Sequence, residues 1–86
     1  MIVQDLETRI IDVLSVVLQV PPAAIIDDAS TQTINTWDSL RHINLISVLE
    51  EEFDIELEVS QITRMTSFSI VLKEMRLALN EKQKKL

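Results

Sequence analysis

Cysteine and glycine do not occur in this 86-residue chain. Without a thiol there is no disulfide framework, no thiolate zinc site and no cysteine nucleophile. Without glycine the tight hairpins that favour it are not expected, and no stretch alternates apolar and polar residues as a half-buried strand does. Unbroken hydrophobicity is also missing, since no apolar run approaches the roughly 20 residues needed to span a bilayer. So is any basic surplus. Eight Lys and Arg stand against fourteen Asp and Glu, a net charge of −6, so phosphate backbones are repelled and nucleic acid is not an expected partner. Length sets the last exclusion: a chain this short buries one small core and has no room for a deep cleft between two domains.

What remains is the composition of one soluble, folded domain over residues 1–86, with 47% hydrophobic and 26% charged residues. The charge imbalance is local. Between Asp38 and Glu58 lie seven carboxylates and one base, Arg41, a net of −6 in that segment alone. Proteins with basic patches are the partners such a surface attracts. Val13 to Ala24 is apolar and ends in small residues like a cleavable leader, but Asp5, Glu7 and Asp12 precede it against Arg9, the wrong sign for one. A cytoplasmic protein is expected.

Val3, Leu6, Ile10, Val13, Leu14 and Val17 recur at steps of three and four, which predicts an amphipathic helix. Pro21 and Pro22 close it. A long connection follows from Val20 to about Thr36, with Ile25, Ile26 and Ile34 expected to pin it to the core; loops of that length in small domains are often functional. A second helix is predicted from about Asp38 to Phe53, a short one over Ser60 to Met65, and a last one after Ser67 as N-cap, with Phe68, Val71, Leu72, Met75 and Leu79 inward. Residues 79–86 read as a frayed tail in which Lys82, Lys84 and Lys85 follow the helix as solvated charges. The fold expected is all-α, a small four-helix bundle of three longer helices and one short, with a long loop between the first two.

Placing residues 100° apart divides the second helix. Leu45, Ile46, Leu49 and Phe53 form its core side, whereas Leu40 and Ile43 fall opposite, beside Asn44, Ser47, Glu50, Glu51 and Asp54. Isolated surface apolars need no explanation. Two of them rimmed by carboxylates also make a docking face that steers and orients a basic partner. Glu50, Glu51, Glu52 and Asp54 do not suggest a cation site, because successive helical residues diverge.

Ser39 lies at the start of this helix, where free N–H groups and the helix dipole favour an anion such as a phosphate ester on its oxygen. Taken alone it reads as a plain helix cap. Asp38, Ser39 and His42 also suggest a hydrolytic triad, but three neighbours on one helix cannot line up as acid, base and nucleophile, and no oxyanion hole is evident. His42 falls at the edge of the core face.

"DSL" at Asp38 to Leu40, after a long loop containing "DDAS" and before "NLISVLEEEFDIEL" and "ITRMTSF", resembles the acyl carrier protein family. The similarity runs over nearly the whole chain. The resemblance implies that Ser39 carries a covalent 4′-phosphopantetheine arm added by a phosphopantetheinyl transferase, which recognises Asp38 beside it. It implies that Leu40, Ile43, Ser47, Glu50 and Glu51 meet partner enzymes: acyl- or aminoacyl-loading ligases, then acyltransferases or condensing enzymes with basic patches. Cargo would ride as a thioester, the carrier itself being a monomer and not an enzyme. Thr36 stands where many fatty-acid carriers have glycine, Trp37 follows it, and Ser47 replaces a frequent methionine, which points to a specialised, free-standing carrier. Two alternatives stay open, an aminoacyl carrier and an unmodified acidic helical adaptor.

Overall fold

Apolar residues at every third or fourth position of the first segment wind into a helix with that stripe inward. In the computed structural model, which describes the backbone of residues 3–84 and the side chains of residues 6–82, helix α1 spans Val3–Leu18. Ile10, Leu14 and Leu18 are fully buried, and Leu6, Val13 and Val17 pack against them at the rim. Val3 belongs to α1, its side chain lying outside the described set. The helix stops where Gln19 turns to a left-handed φ of 59°, and the Val20 N–H then reaches back to the Ser15 carbonyl at 3.1 Å. This is a helix ending that usually employs glycine, made here without one, at a backbone cost of roughly 1–2 kcal/mol.

Pro22 opens a 3-10 turn over Pro22–Ala24, where its missing N–H is harmless. The long connection beyond it is held down by Ile25, Ala29, Ile34 and Trp37, all buried. Ile26 does not join them as expected, being 57% exposed. The Ala29 N–H closes a turn on the Ile26 carbonyl at 2.9 Å, which leaves Ile26 outward and gives the inward place to Ala29. Further on, Thr31 N–H donates to the Thr66 carbonyl at 3.0 Å and Phe68 N–H to the Ala29 carbonyl at 2.9 Å. These bonds form an isolated antiparallel bridge between Ser30 and Ser67; no strand forms among the described residues.

Helix α2 covers Ser39–Phe53 and buries Leu45, Ile46, Leu49 and Phe53, the side expected from the sequence. Asp54 ends it with a second left-handed φ of 54°, and the Ile55 N–H closes on Glu50 at 3.1 Å. The Arg9 guanidinium of α1 lies 4.4 Å over the Phe53 ring and pairs with Glu52 at 3.2 Å, so α1 grips both faces of this exit. Helix α3 is short, Val59–Arg64, and is followed by the fully buried Met65.

Helix α4 runs Phe68–Lys84. Ser67 caps it, accepting the Ile70 N–H at 3.3 Å. Phe68, Val71 and Met75 face inward, with Leu72 and Leu79 partly buried. The tail expected over residues 79–86 is helix as far as Lys84, so Lys82 does not follow the helix but belongs to it. It reaches Asp54 at 3.2 Å and the Phe53 carbonyl at 3.4 Å, a cation set against the carbonyl end of α2. Lys85 lies outside the described residues.

The result is an all-α bundle of three longer helices and one short, with a long loop between α1 and α2. Its radius of gyration, 12.2 Å, is that of a compact chain of this length. Among the described residues no helix is long and apolar enough to cross a membrane.

Among the described residues one carboxylate sits inside. Glu74 of α4, its side chain 6% exposed, pairs with Arg64 at 3.4 Å and accepts from the Gln61 side-chain amide at 3.1 Å. The oxygen of that amide in turn accepts the Glu58 N–H at the start of α3, 3.0 Å, so one side chain braces α3 against α4. The hydrogen bond from Gln61, helped by Arg64, holds the Glu74 carboxyl below the ordinary carboxylate range despite its burial. A lowered folded value means that the contribution is complete above the unfolded value and fades as pH falls through the folded one. Urea midpoints measured from neutral to acid pH should therefore fall less steeply in Glu74→Gln than in wild type. Parallel curves would remove Glu74 from the account of acid sensitivity.

Candidate functional site

The start of α2 is built by its own cap. Asp38 is extended (φ −101°, ψ −177°) and its carboxylate accepts the Arg41 N–H at 2.9 Å. Arg41 returns its guanidinium to Asp38 at 3.8 Å and donates to the Gln19 side chain at 3.0 Å, so the end of α1 and the start of α2 are tied through one residue. Thr36, the residue before Trp37, donates its hydroxyl to the Leu18 carbonyl. A hydroxyl there joins the loop to an orphan carbonyl at the end of α1, which glycine at that place could not do.

Ser39 occupies the first helical position and is exposed. Its Oγ makes no hydrogen bond to the described residues, which leaves it free for an incoming electrophile. Asp38 takes the N–H of the third position, and the other first-turn N–H groups beside Ser39 have no intrahelical acceptor, a setting that favours an anion.

Behind Ser39 lies a relay that ties three elements together. The Trp37 indole N–H donates to His42 Nδ1 at 3.0 Å, and His42 Nε2 meets the Ile62 carbonyl of α3 at 2.9 Å. An indole can only donate, so Nδ1 is the acceptor and Nε2 carries the proton it gives to Ile62. The rings lie 6.2 Å apart at 31°, and Trp37 is 3% exposed. Both imidazole nitrogens are thus occupied, and neither is free to take a proton from Ser39. Nothing in the sequence marked Ile62 for this part, because a backbone carbonyl has no residue signature. Trp37 was visible only as an aromatic beside the motif.

An open cleft of about 480 Å³ adjoins Ser39, between Trp37 and His42 on one side and Ile62, Thr63 and Thr66 on the other. On the outer face of α2, Leu40 is 68% and Ile43 61% exposed, and Ser47 and Glu51 are exposed on the same face. Glu50 is set apart from them. It is half-buried, and its carboxylate accepts the Leu57 N–H at 2.9 Å, holding the exit of α2 rather than facing outward. A larger groove of about 940 Å³ opens at that far end, where Glu56, Glu58 and Glu74 face Arg64 and Lys82. Its wall of Gln61 and Arg64 continues along α3 into Ile62 and Thr63, which line the cleft beside Ser39.

No protein-family model matches the chain, and no curated protein matches it at a significant level. The site offers one exposed hydroxyl at a capped helix start, no base poised on it among the described residues, a cleft beside it and an apolar face next to it. Acidic side chains crowd the same helix, but among the described residues no three His, Asp or Glu side chains gather as a metal site.

Proposed function

We propose that the chain is a carrier protein whose Ser39 receives a 4′-phosphopantetheine arm, on which an acyl group rides as a thioester between partner enzymes. The observation that carries this reading is the state of Ser39: exposed, without a protein partner among the described residues, and at the first position of a helix whose cap is supplied by its neighbour Asp38. Attachment joins Ser39 Oγ to the phosphorus that bears pantetheine in coenzyme A. The pyrophosphate bond breaks, adenosine bisphosphate leaves, and the serine proton passes to a base that the transferase supplies. That division of labour accounts for a serine with no base of its own.

The phosphodiester adds a negative charge where helix N–H groups and the dipole favour one. Leu40 and Ile43 give partner enzymes an apolar contact, and the carboxylates of α2 orient basic ones; salt weakens that steering. A tether raises the local concentration of cargo at each active site, so the carrier needs no catalytic residue. The reading includes a monomer working in the cytoplasm of a specialised pathway.

Intact mass after incubation with a broad-specificity phosphopantetheinyl transferase and coenzyme A tests it. The expected spectrum shows one added phosphopantetheine. An unshifted mass in folded protein would favour an adaptor that binds partners through the α2 face without an arm.

A further inference from the structure

We infer that His42 is a two-state contact set by the chemistry of Ser39: beside a bare hydroxyl it accepts the Trp37 indole N–H, and beside a phosphodiester it takes a second proton, pairs with the phosphate and lets the indole go. The inference rests on an arm at Ser39 and goes beyond it by giving the modified protein a different joint beneath the site.

Geometry carries it. Ser39 and His42 stand three apart on α2, a spacing that makes them neighbours on one helix face with Cβ atoms about 5–6 Å apart, and both line the same cleft. His42 is half-buried, so its ring belongs to the cleft as well as to the relay. The neutral ring accepts the indole N–H on Nδ1 at 3.0 Å and gives its own proton, from Nε2, to the Ile62 carbonyl at 2.9 Å. A second proton can settle only on Nδ1, where it faces the indole donor to donor. That bond is then lost, whereas Nε2 still donates to Ile62. Beside a bare hydroxyl the proton strands an indole N–H that is 3% exposed. Beside a phosphodiester the new Nδ1–H has an anionic acceptor, and the negative charge favours the charged ring. Of the other ionisable groups nearby, Asp38 also lines the cleft but is held by Arg41, and Arg64 of α3 is paired with Glu74. The loop and α3 give the cleft only uncharged side chains. The indole bond is therefore intact above the midpoint of the imidazole and lost as pH falls through it, and the arm moves that loss to higher pH. α3 stays tied through Ile62 while the loop carrying Trp37 is loosened, so the enzyme that adds the arm and those that use it meet different loops.

The chain has one histidine and one tryptophan, so each side of this joint has its own proton NMR signal. The test follows the imidazole and the indole N–H from about pH 8 to about pH 5 in the unmodified and the arm-bearing protein, with intact mass confirming loading and circular dichroism the fold. The arm should raise the imidazole midpoint by about half to one pH unit at low salt, and by less at high salt. Along that same midpoint the indole N–H should shift and exchange faster with water. His42→Gln, which donates and accepts but takes no proton, should leave the indole signal independent of pH in both forms. An imidazole midpoint that is the same with and without the arm overturns the switch and leaves the arm standing. So does an indole N–H that stays protected while His42 titrates, or one that still responds to pH in His42→Gln. Failure to load overturns the arm and the switch together.

Discussion

Ser39→Ala is expected to abolish attachment of the arm completely while leaving the unfolding midpoint where it is in the wild type. Ser39 Oγ bonds to nothing in the described structure and the side chain is exposed, so its removal strands no partner; surface changes of this kind stay within about 0.5 kcal/mol. Alanine is also a good helix former at a first-turn position. The comparison gains force from its neighbour. Asp38→Asn keeps a capping oxygen, since asparagine caps as well as aspartate, whereas Asp38→Ala removes it for about 1 kcal/mol. If the transferase reads the Asp38 carboxylate, Asp38→Asn slows modification at unchanged stability. If Asp38 only caps the helix, modification follows stability instead, and Asn behaves as wild type. Mass spectrometry gives the rate and thermal melting the stability. Labelling that persists in Ser39→Ala would place the attachment elsewhere and remove the basis of the carrier reading.

Trp37→Ala should have the largest effect on the fold, a loss of about 3–5 kcal/mol, as for other buried aromatic truncations. Small domains hold only about 5–15 kcal/mol in total, so the variant is expected to be partly or wholly unfolded at 37 °C by circular dichroism. Size alone is not the reason. Trp37 packs the loop onto the core at 3% exposure and orients His42, which in turn holds the Ile62 carbonyl of α3. Trp37→Phe separates the two contributions: it keeps most of the packing and removes the donor, leaving His42 Nδ1 without its partner at a cost of about 1–3 kcal/mol. Urea midpoints followed by circular dichroism check both variants. A Phe variant as stable as the wild type would show that Trp37 contributes through packing alone.

Much of this architecture was legible in the chain, and the reasons differ by element. The division of α2 into a buried and an exposed face follows from a strict periodicity that tertiary packing then obeyed: Leu45, Leu49 and Phe53 inside, Leu40 and Ile43 out. Ser67 announced the last helix because side-chain capping is a local event. Where a residue's place depends on contacts beyond its own periodicity, local reasoning fails. Ile26 outranks Ala29 in hydrophobicity, yet Ala29 is inside, its carbonyl accepting the Phe68 N–H. Glu50 sits on the outward arc by angle, but a backbone N–H seven residues on captures its carboxylate. The helix end at Lys84 extends past the expected stop, and Lys82 within it finds Asp54 and the Phe53 carbonyl across the bundle. The relay under Ser39 was the least legible, as it joins an indole, an imidazole and a main-chain oxygen from three elements.

The antiparallel bridge between Ser30 and Ser67 has a consequence for time as well as shape. Segments so far apart in sequence close a loop late, after the local helices have formed. The loop leading to Ser39 is therefore not finished by residues that surround it, but by Phe68 arriving to accept its place beside Ala29. A chain emerging from a ribosome must deliver Phe68 before the loop leading to Ser39 is whole. Under the proposed function, an arm on Ser39 would in this sense certify that the domain has been completed.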